Sequence, residues 1–358
     1  EHPLRQLRSI NDNLIKAAQN VFSPPLFFIN NHHMATDNPV DIVISWVDGN
    51  DPVHKRKREA FTKDVEFASC QDVGGSTRFA DIGEIRYCIA SINRNLDFVR
   101  KIFIITDGQD PDLGSFLSRN FKGETIPIEI VDHKTIFRGY EEFLPTFNSR
   151  AIETLMWRIP GLSEEFIYLN DDFLIMKPCV KEDFFKDGKV ICYADWYLTA
   201  VSRLLRFFKP KKNGHKPISF KESMTNALTM TGGGHRFLML SHCPRALKRS
   251  AFEDFFSRHP EAIIRNIRHK LRHKDQYNSQ EILYLNEYKA GRCIIESPSE
   301  KLLFMTPKRK KNYTSRKLKS FEDKQDCRFC CFNSLDQATS EDREMIISWI
   351  RSHLGITE

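Results

Sequence analysis

Apolar and polar positions alternate along this chain in two rhythms, and the changes of rhythm divide it into elements. Asp41–Val47 is a short β-branched run with the composition of a buried strand, and Lys101–Thr106, Ile126–Val131 and Phe166–Ile175 read as further strands. The first three end abruptly in Asp48-Gly49-Asn50-Asp51-Pro52, Asp107-Gly108-Gln109-Asp110-Pro111 and Asp132-His133. Between strands, Ile82, Ile85, Ile89 and Ile92 recur at helical spacing over Asp81–Arg94, and a further helix is predicted over Ser149–Arg158. This alternation predicts an α/β fold: a largely parallel, Rossmann-like sheet with helices on both faces. Ligands of such sheets sit beyond the carboxyl ends of the strands, where the acidic turns lie.

The remainder is less regular. Residues 1–38 read as a leading helix, with Leu4, Leu7, Ile10, Leu14 and Ile15 at helical spacing, and a connector broken at Pro24-Pro25. The catalytic core is predicted over 39–178 and about 230–300, interrupted by a mostly helical accessory lobe or insertion at 179–229. Helices are expected at Asp254–Lys274 and Ser279–Ala290. Residues 301–358 read as a basic loop, extending back to Pro298, and a final helix over Ser340–Leu354, with Ser340 and Arg343 at its cap and third positions.

At 358 residues with 41% apolar side chains and 28 Phe, the chain can bury a substantial core, which excludes a disordered tail, a coiled coil or a fibre. No apolar run approaches the roughly 18 residues needed to cross a bilayer. Nine cysteines, an odd number scattered along the chain, do not form a secreted disulfide framework and point to a reducing, cytoplasmic setting. Cys327, Cys330 and Cys331 lack a fourth ligand for structural zinc. The net charge of +7 is concentrated in runs at Lys55–Arg58, Arg203–Lys216, Arg265–Lys274 and Lys308–Lys319. Such runs suit phosphate-bearing partners, including sugar nucleotides, anionic polysaccharide, nucleic acid and acidic lipid, or are simply solvated faces.

The sharpest chemical signal is Asn170-Asp171-Asp172 inside an apolar run. Adjacent carboxylates there lose hydration and need a cation or several donors, a demand that Mg²⁺ or Mn²⁺ on a diphosphate meets. Capping aspartates at a strand end are the structural alternative. Asp48, Gly49 and Asp51 could cradle a nucleotide, with Gly49 allowing close approach of a base or ribose, or could form an ordinary turn. Arg86 among apolar positions needs an anionic partner if buried. Asn148 and Ser149 stand where they would cap a helix or meet a ligand. His242 and Arg272 are a candidate proton acceptor and a candidate phosphate clamp. P-loop, H-E-x-x-H and G-x-G-x-x-G patterns are absent, which removes kinase, zincin and dehydrogenase readings.

Asp41–Pro52 resembles the first signature block of the Stealth family of sugar-1-phosphate transferases. A second block is similar through Glu84–Tyr87, Val99–Gln109, Leu144–Ser149, Ala151–Glu153, Arg158–Glu164 and Phe166–Asp172, and a third through His242–Pro244, Arg272 and Asp275. The compact spacing looks most like the bacterial capsule-polymer enzymes. Cys331-Phe332-Asn333-Ser334 is similar to the last block but carries Ser334 where an acidic residue is expected.

The resemblance implies transfer of N-acetylhexosamine 1-phosphate from a UDP-sugar to a sugar hydroxyl, with release of UMP, in capsular polysaccharide synthesis. It implies Asp172 with Asp171 as ligands of Mg²⁺ or Mn²⁺, Arg272 on the phosphoryl oxygens and His242 as general base. Asp48, Gly49, Asp51, Arg86, Asn148 and Asn170 would bind the donor. Partners would be a UDP-N-acetylhexosamine and an anionic oligosaccharide or polysaccharide, in the cytoplasm, with peripheral contact to the inner membrane face as an option and without nucleic acid. The rivals are a metal-dependent glycosyltransferase releasing UDP and a non-enzymatic polyanion-binding protein.

Overall fold

The computed structural model describes residues 38–63, 75, 77, 79–207, 220–306 and 312–357; the predicted leading helix lies outside them. Strand β1, Val40–Ser45, is at the centre because Val40, Ile42, Val43 and Ile44 are wholly buried. It pairs in parallel with β2, Val99–Thr106, and β4, Glu165–Asn170, while β3, Ile128–Asp132, extends the sheet beyond β2. The α/β expectation holds. A fifth strand, β9 at Arg245–Lys248, runs antiparallel to β4 with Arg245 opposite Tyr168, giving the order β3-β2-β1-β4-β9. This reversal matters for the site, because the start of β9 then lies beside the end of β4.

Two pairings align the carboxyl ends: Ser45 is opposite both Ile105 and Asn170. At the other end the buried Asp41 carboxylate accepts from Arg100 Nε and Nη2 at 2.9 and 2.6 Å and from Ser163 N at 2.7 Å, which fixes the starts of β1 and β2 and the approach to β4.

The run Phe166–Ile175 is not one strand. It breaks at Asp171-Asp172, and the chain continues as β5, Phe173–Ile175, in a different sheet of order β11-β12-β5, with β11 at Leu302–Met305 and β12 at Phe329–Phe332. Two adjacent carboxylates within a ladder would be stripped of water without donors, so the chain turns there.

Within the segment read as an accessory lobe, Phe185–Lys186 (β6) and Lys189–Leu198 (β7) are strands, and β7 pairs with β10 (Cys293–Glu296), β6 and β8 (Arg236–Leu240). Helices follow at Thr199–Phe207 and Phe220–Met230. The predicted helix over Asp254–Lys274 is instead two, Arg249–Arg258 and Pro260–Ile267, since Pro260 cannot continue one helix but readily starts another. The predicted basic loop holds β11 and a helix, Tyr313–Glu322, whose Thr314, Leu318 and Phe321 are buried. The final helix spans Ser340–Leu354 as predicted, but Thr339 is its cap, accepting from Asp342 N at 3.1 Å.

The turn after β1 is secured by the chain itself. The Gln109 amide donates to Asp48 O at 2.9 Å and accepts from Asp48 N at 3.1 Å, clasping the turns after β1 and β2 together. Asp51 caps the helix Pro52–Thr62 by accepting from His54 N at 2.7 Å, and Asp48 accepts from Asn50 N at 2.8 Å. Gly49 is not an opening for a base or ribose: a Cβ there would lie 2.0 Å from Phe79 O and 2.4 Å from Phe79 Cβ. Gly49→Ala is therefore expected to cost about 1–3 kcal/mol through forced backbone displacement. Urea denaturation checks this, and an unchanged midpoint would show that the Phe79 segment yields freely.

Candidate functional site

At the carboxyl ends of β1 and β4, four acidic groups meet. Asp171 and Asp172 form the turn beyond Asn170, while Asp81 and Glu84 arrive at the head of the helix Glu84–Asn95. Local donors hold the second pair: Asp81 accepts from Trp46 Nε1 at 3.3 Å and from Gly83 N at 2.7 Å, and Glu84 accepts from Ile82 N at 2.8 Å. Burial, then Asp172, Glu84 and Asp81, raise the Asp171 carboxyl well above its usual range. Burial, then Asp81 and Asp172, raise Glu84 to about 7. Burial also raises Asp172, opposed by the Cys331 thiol, 3.4 Å from Asp172 Oδ2, and by Arg245. Oxygen donors short of positive charge suit a hard divalent ion that keeps waters and binds through one or two carboxylates.

Opposite these acids lies a basic cluster. Arg272 stands in the loop after the helix Pro260–Ile267 and donates to Ser149 Oγ at 3.0 Å. Asn148 sets that loop: its Nδ2 lies 3.0 Å from His269 O, 2.8 Å from Leu271 O and 3.0 Å from Gln276 Oε1, while its Oδ1 caps the helix Ser149–Leu155 through Arg150 N. With 1% exposure and both amide atoms engaged, Asn148 positions Arg272 and does not bind a donor.

His242, in the turn before β9, stacks on Phe304 of β11 at 4.6 Å and meets the Phe173 ring edge-on at 5.8 Å. Its Nδ1 is buried without a partner among the described residues. Burial, then Arg245 and Arg272, lower it to about 4, so the imidazole is neutral at pH 7. Arg245 lies 5.9 Å from the same Phe173 ring. The field of Arg245 on Asp172, and of Arg245 and Arg272 on His242, places these four residues in one neighbourhood. Asn170 borders it, with Oδ1 accepting from Tyr168 Oη at 2.9 Å. Arg86 is exposed on the first turn of the helix bearing Glu84, without a side-chain partner among the described residues.

Several contributors escaped sequence reasoning: Asp81 and Glu84, Arg245, and the tail residues Phe304 and Cys331. The tail therefore borders the site despite Ser334, which adopts a left-handed conformation. Among the described residues, one group of three ligand atoms lies within 4.8 Å of one another, that of His269, His273 and Asp275. There His269 Nε2 already accepts from Arg268 Nε and His273 Nδ1 from Asp275 N, each at 3.2 Å. Its nitrogen-rich composition suits a transition metal better than Mg²⁺.

Comparison with known families matches residues 38–66 to Stealth protein conserved region 1 and residues 78–192 to conserved region 2. The chain belongs to the Stealth family. The second Stealth region carries Asp81, Glu84, Asn148, Arg150, Glu153, Asp171 and Asp172, so one matched block supplies all four acids of the site.

Three relatives of this Stealth chain are polysaccharide phosphotransferases by name. Exopolysaccharide phosphotransferase SCO6023 of Streptomyces coelicolor is 32% identical over 63% of this chain and 35% of that protein. Capsular polysaccharide phosphotransferase fcs1 of Haemophilus influenzae is 32% identical over 68% of this chain and 64% of that protein. The corresponding cps12A enzyme of Actinobacillus pleuropneumoniae is 31% identical over 67% and 61%. The chain thus spans less than two thirds of the length of each. The solved galactosyltransferase LgtC, in complex with donor and acceptor sugar analogues, aligns over 89% of this chain and 96% of its own at 12% identity with a TM-score of 0.43, and no conclusion rests on that likeness.

The raised acids have a thermodynamic consequence. A carboxyl whose folded value is about 7 instead of 4.5 adds stability that is full below pH 4.5 and is lost as pH rises through 7. A divalent ion binding the ionised form offsets that loss. Mg²⁺ or Mn²⁺ is expected to raise the melting temperature more at pH 8 than at pH 5, with the difference reduced in Glu84→Gln. Equal shifts at both pH values would place the ion elsewhere.

Proposed function

We propose that this chain transfers an N-acetylhexosamine 1-phosphate from a UDP-sugar to a hydroxyl of an anionic glycan, forming a phosphodiester and releasing UMP in capsular polysaccharide synthesis. The observation that carries this reading is the meeting of a carboxylate pair, an unpartnered neutral imidazole and buried guanidiniums at one sheet edge. The named relatives support the phosphotransferase class. The reading places this work in the cytoplasm or at the inner membrane face. Among the described residues no helix is long and apolar enough to cross a membrane.

In this mechanism the acceptor oxygen forms a bond to the β-phosphorus while the bond from that phosphorus to the α,β-bridging oxygen breaks, and the bridging oxygen leaves with UMP. His242 takes the acceptor proton; such general bases typically contribute about 10²–10⁴-fold. Arg272 neutralises the non-bridging oxygens, and Asp171 and Asp172 would hold Mg²⁺ or Mn²⁺. When bound, that ion supplies charge neutralisation on the diphosphate. Asp48, Asp51, Arg86 and Asn170 line the donor side, Asp48 and Asp51 with one carboxylate oxygen each already committed to the turn.

Incubation with a UDP-N-acetylhexosamine, Mg²⁺ and an oligosaccharide acceptor is expected to yield UMP; UDP as the product would instead identify a glycosyltransferase. Asp172→Asn is expected to retain the fold by circular dichroism and lose turnover, and wild-type activity in that variant would remove the metal role. His242→Ala is expected to lose about 10²-fold or more in kcat with donor binding retained. Loss of donor binding would move His242 to the nucleotide pocket. With His242 as base, the acidic limb of kcat/KM attributable to it falls near pH 4 and not near 6.5.

A further inference from the structure

Arg245 has no place in the family blocks matched in the sequence, yet its surroundings are those of a ligand-binding group. It begins β9, is 8% exposed, and has a buried Nε with no hydrogen-bond partner among the described residues. Its Nη1 donates to Gln280 Oε1, and Gln280 Nε2 in turn donates to Glu153 Oε2 at 3.4 Å. The far edge of the guanidinium is thus tethered through two buried side chains on separate helices. The register opposite Tyr168 brings Arg245 alongside the strand that ends at the Asn170-Asp171-Asp172 turn.

Three guanidiniums face three carboxylates, so the balance hangs on Asp172. Arg150 and Arg245, both buried, and half-buried Arg272 share the buried carboxylate Glu153, which feels all three. Glu222 acts further on Arg150, and Asp172 is the other acid under the influence of Arg245. If a divalent ion occupies Asp172, Arg245 loses that compensation. A buried cation without an anionic partner is costly, and the missing partner is an anion delivered with the substrate.

We propose that Arg245 and Arg272 form one anion seat, in which Arg245 Nε–H donates to a non-bridging oxygen of a substrate phosphoryl group between the Asp171-Asp172 turn and His242. The ligand class is a phosphate or diphosphate ester, and the proposal rests on the phosphoryl-transfer reading above. Arg272 is held by Ser149 and Arg245 by Gln280, so the two guanidiniums of the seat are fixed from different elements. Preorganised donors of this kind act in transfer without being reoriented. Gln280 is a positioning residue in this arrangement.

The test uses the whole chain as wild type, R245Q and R245K, with folding checked by circular dichroism. Inorganic pyrophosphate in EDTA is the binding probe, and kcat/KM for the UDP-sugar is the kinetic one. Wild type is expected to bind pyrophosphate without metal. R245Q is expected to lose that binding and about 10²-fold in kcat/KM, and R245K to keep most of the binding but lose about 10-fold in kcat, because a lysine lacks the fixed donor fork. Pyrophosphate binding and kcat/KM for R245Q within about threefold of wild type would overturn the seat. If R245Q does not fold, R245K decides: kcat within about threefold of wild type overturns it. Failure of wild type to bind pyrophosphate also overturns it. Release of UDP by wild type would defeat the phosphotransferase reading, while pyrophosphate binding lost in R245Q would still uphold the seat.

Discussion

Two sets of like charge are held partly out of water at one end of the central sheet, carboxylates at Asp81, Glu84, Asp171 and Asp172 and guanidiniums at Arg150, Arg245 and Arg272. The sets lie close enough to influence one another, as Arg245 does Asp172, but they do not close into ion pairs among the described residues. Each therefore keeps an unmet electrostatic demand, negative for a cation and positive for an anion. A metal diphosphate meets both. The fold can be read as the framework that prevents the two sets from collapsing onto each other or opening to water.

That framework begins with β1. It is buried from Val40 to Ile44 and flanked in parallel by β2 and β4, and the shared register ends all three at one level. The turn at Asp171-Asp172 then passes the chain into the sheet of β5, β12 and β11, so Cys331 and Phe304 reach the site from the tail. The antiparallel β9 brings His242 and Arg245 back to the same edge, and Asn148 ties the Arg272 loop to the head of the helix Ser149–Leu155. Residues far apart in sequence become neighbours through backbone pairing and one buried amide.

The parallel sheet was legible because β1, β2 and β4 each carry a short apolar run that ends in an acidic turn, a pattern suited to buried parallel strands. Asp171, Asp172, His242 and Arg272 were legible as chemistry because charged or titratable groups interrupt apolar surroundings. Their companions were not. Glu84 reads as an ordinary acid in a first helical turn, and Arg245 as one more cation near a strand; only tertiary pairing reveals what faces them. At Asn148 the capping reading holds and the donor reading does not, and at Gly49 the close-approach reading fails, because what each meets is the protein itself: the 269–276 loop for Asn148 and Phe79 for Gly49. In the tail, lysines masked the apolar spacing of Thr314, Leu318 and Phe321, so an amphipathic helix read as a basic loop.

The central claim is that both charged sets close on one ligand. A crystal structure with a UDP-N-acetylhexosamine and Mn²⁺, the ion located by anomalous scattering, tests it most directly. The expected result is Mn²⁺ on Asp171 or Asp172 and on the diphosphate, with Arg272 in contact with the same diphosphate. Mn²⁺ bound instead at His269, His273 and Asp275, with the diphosphate out of reach of Arg272, would contradict it.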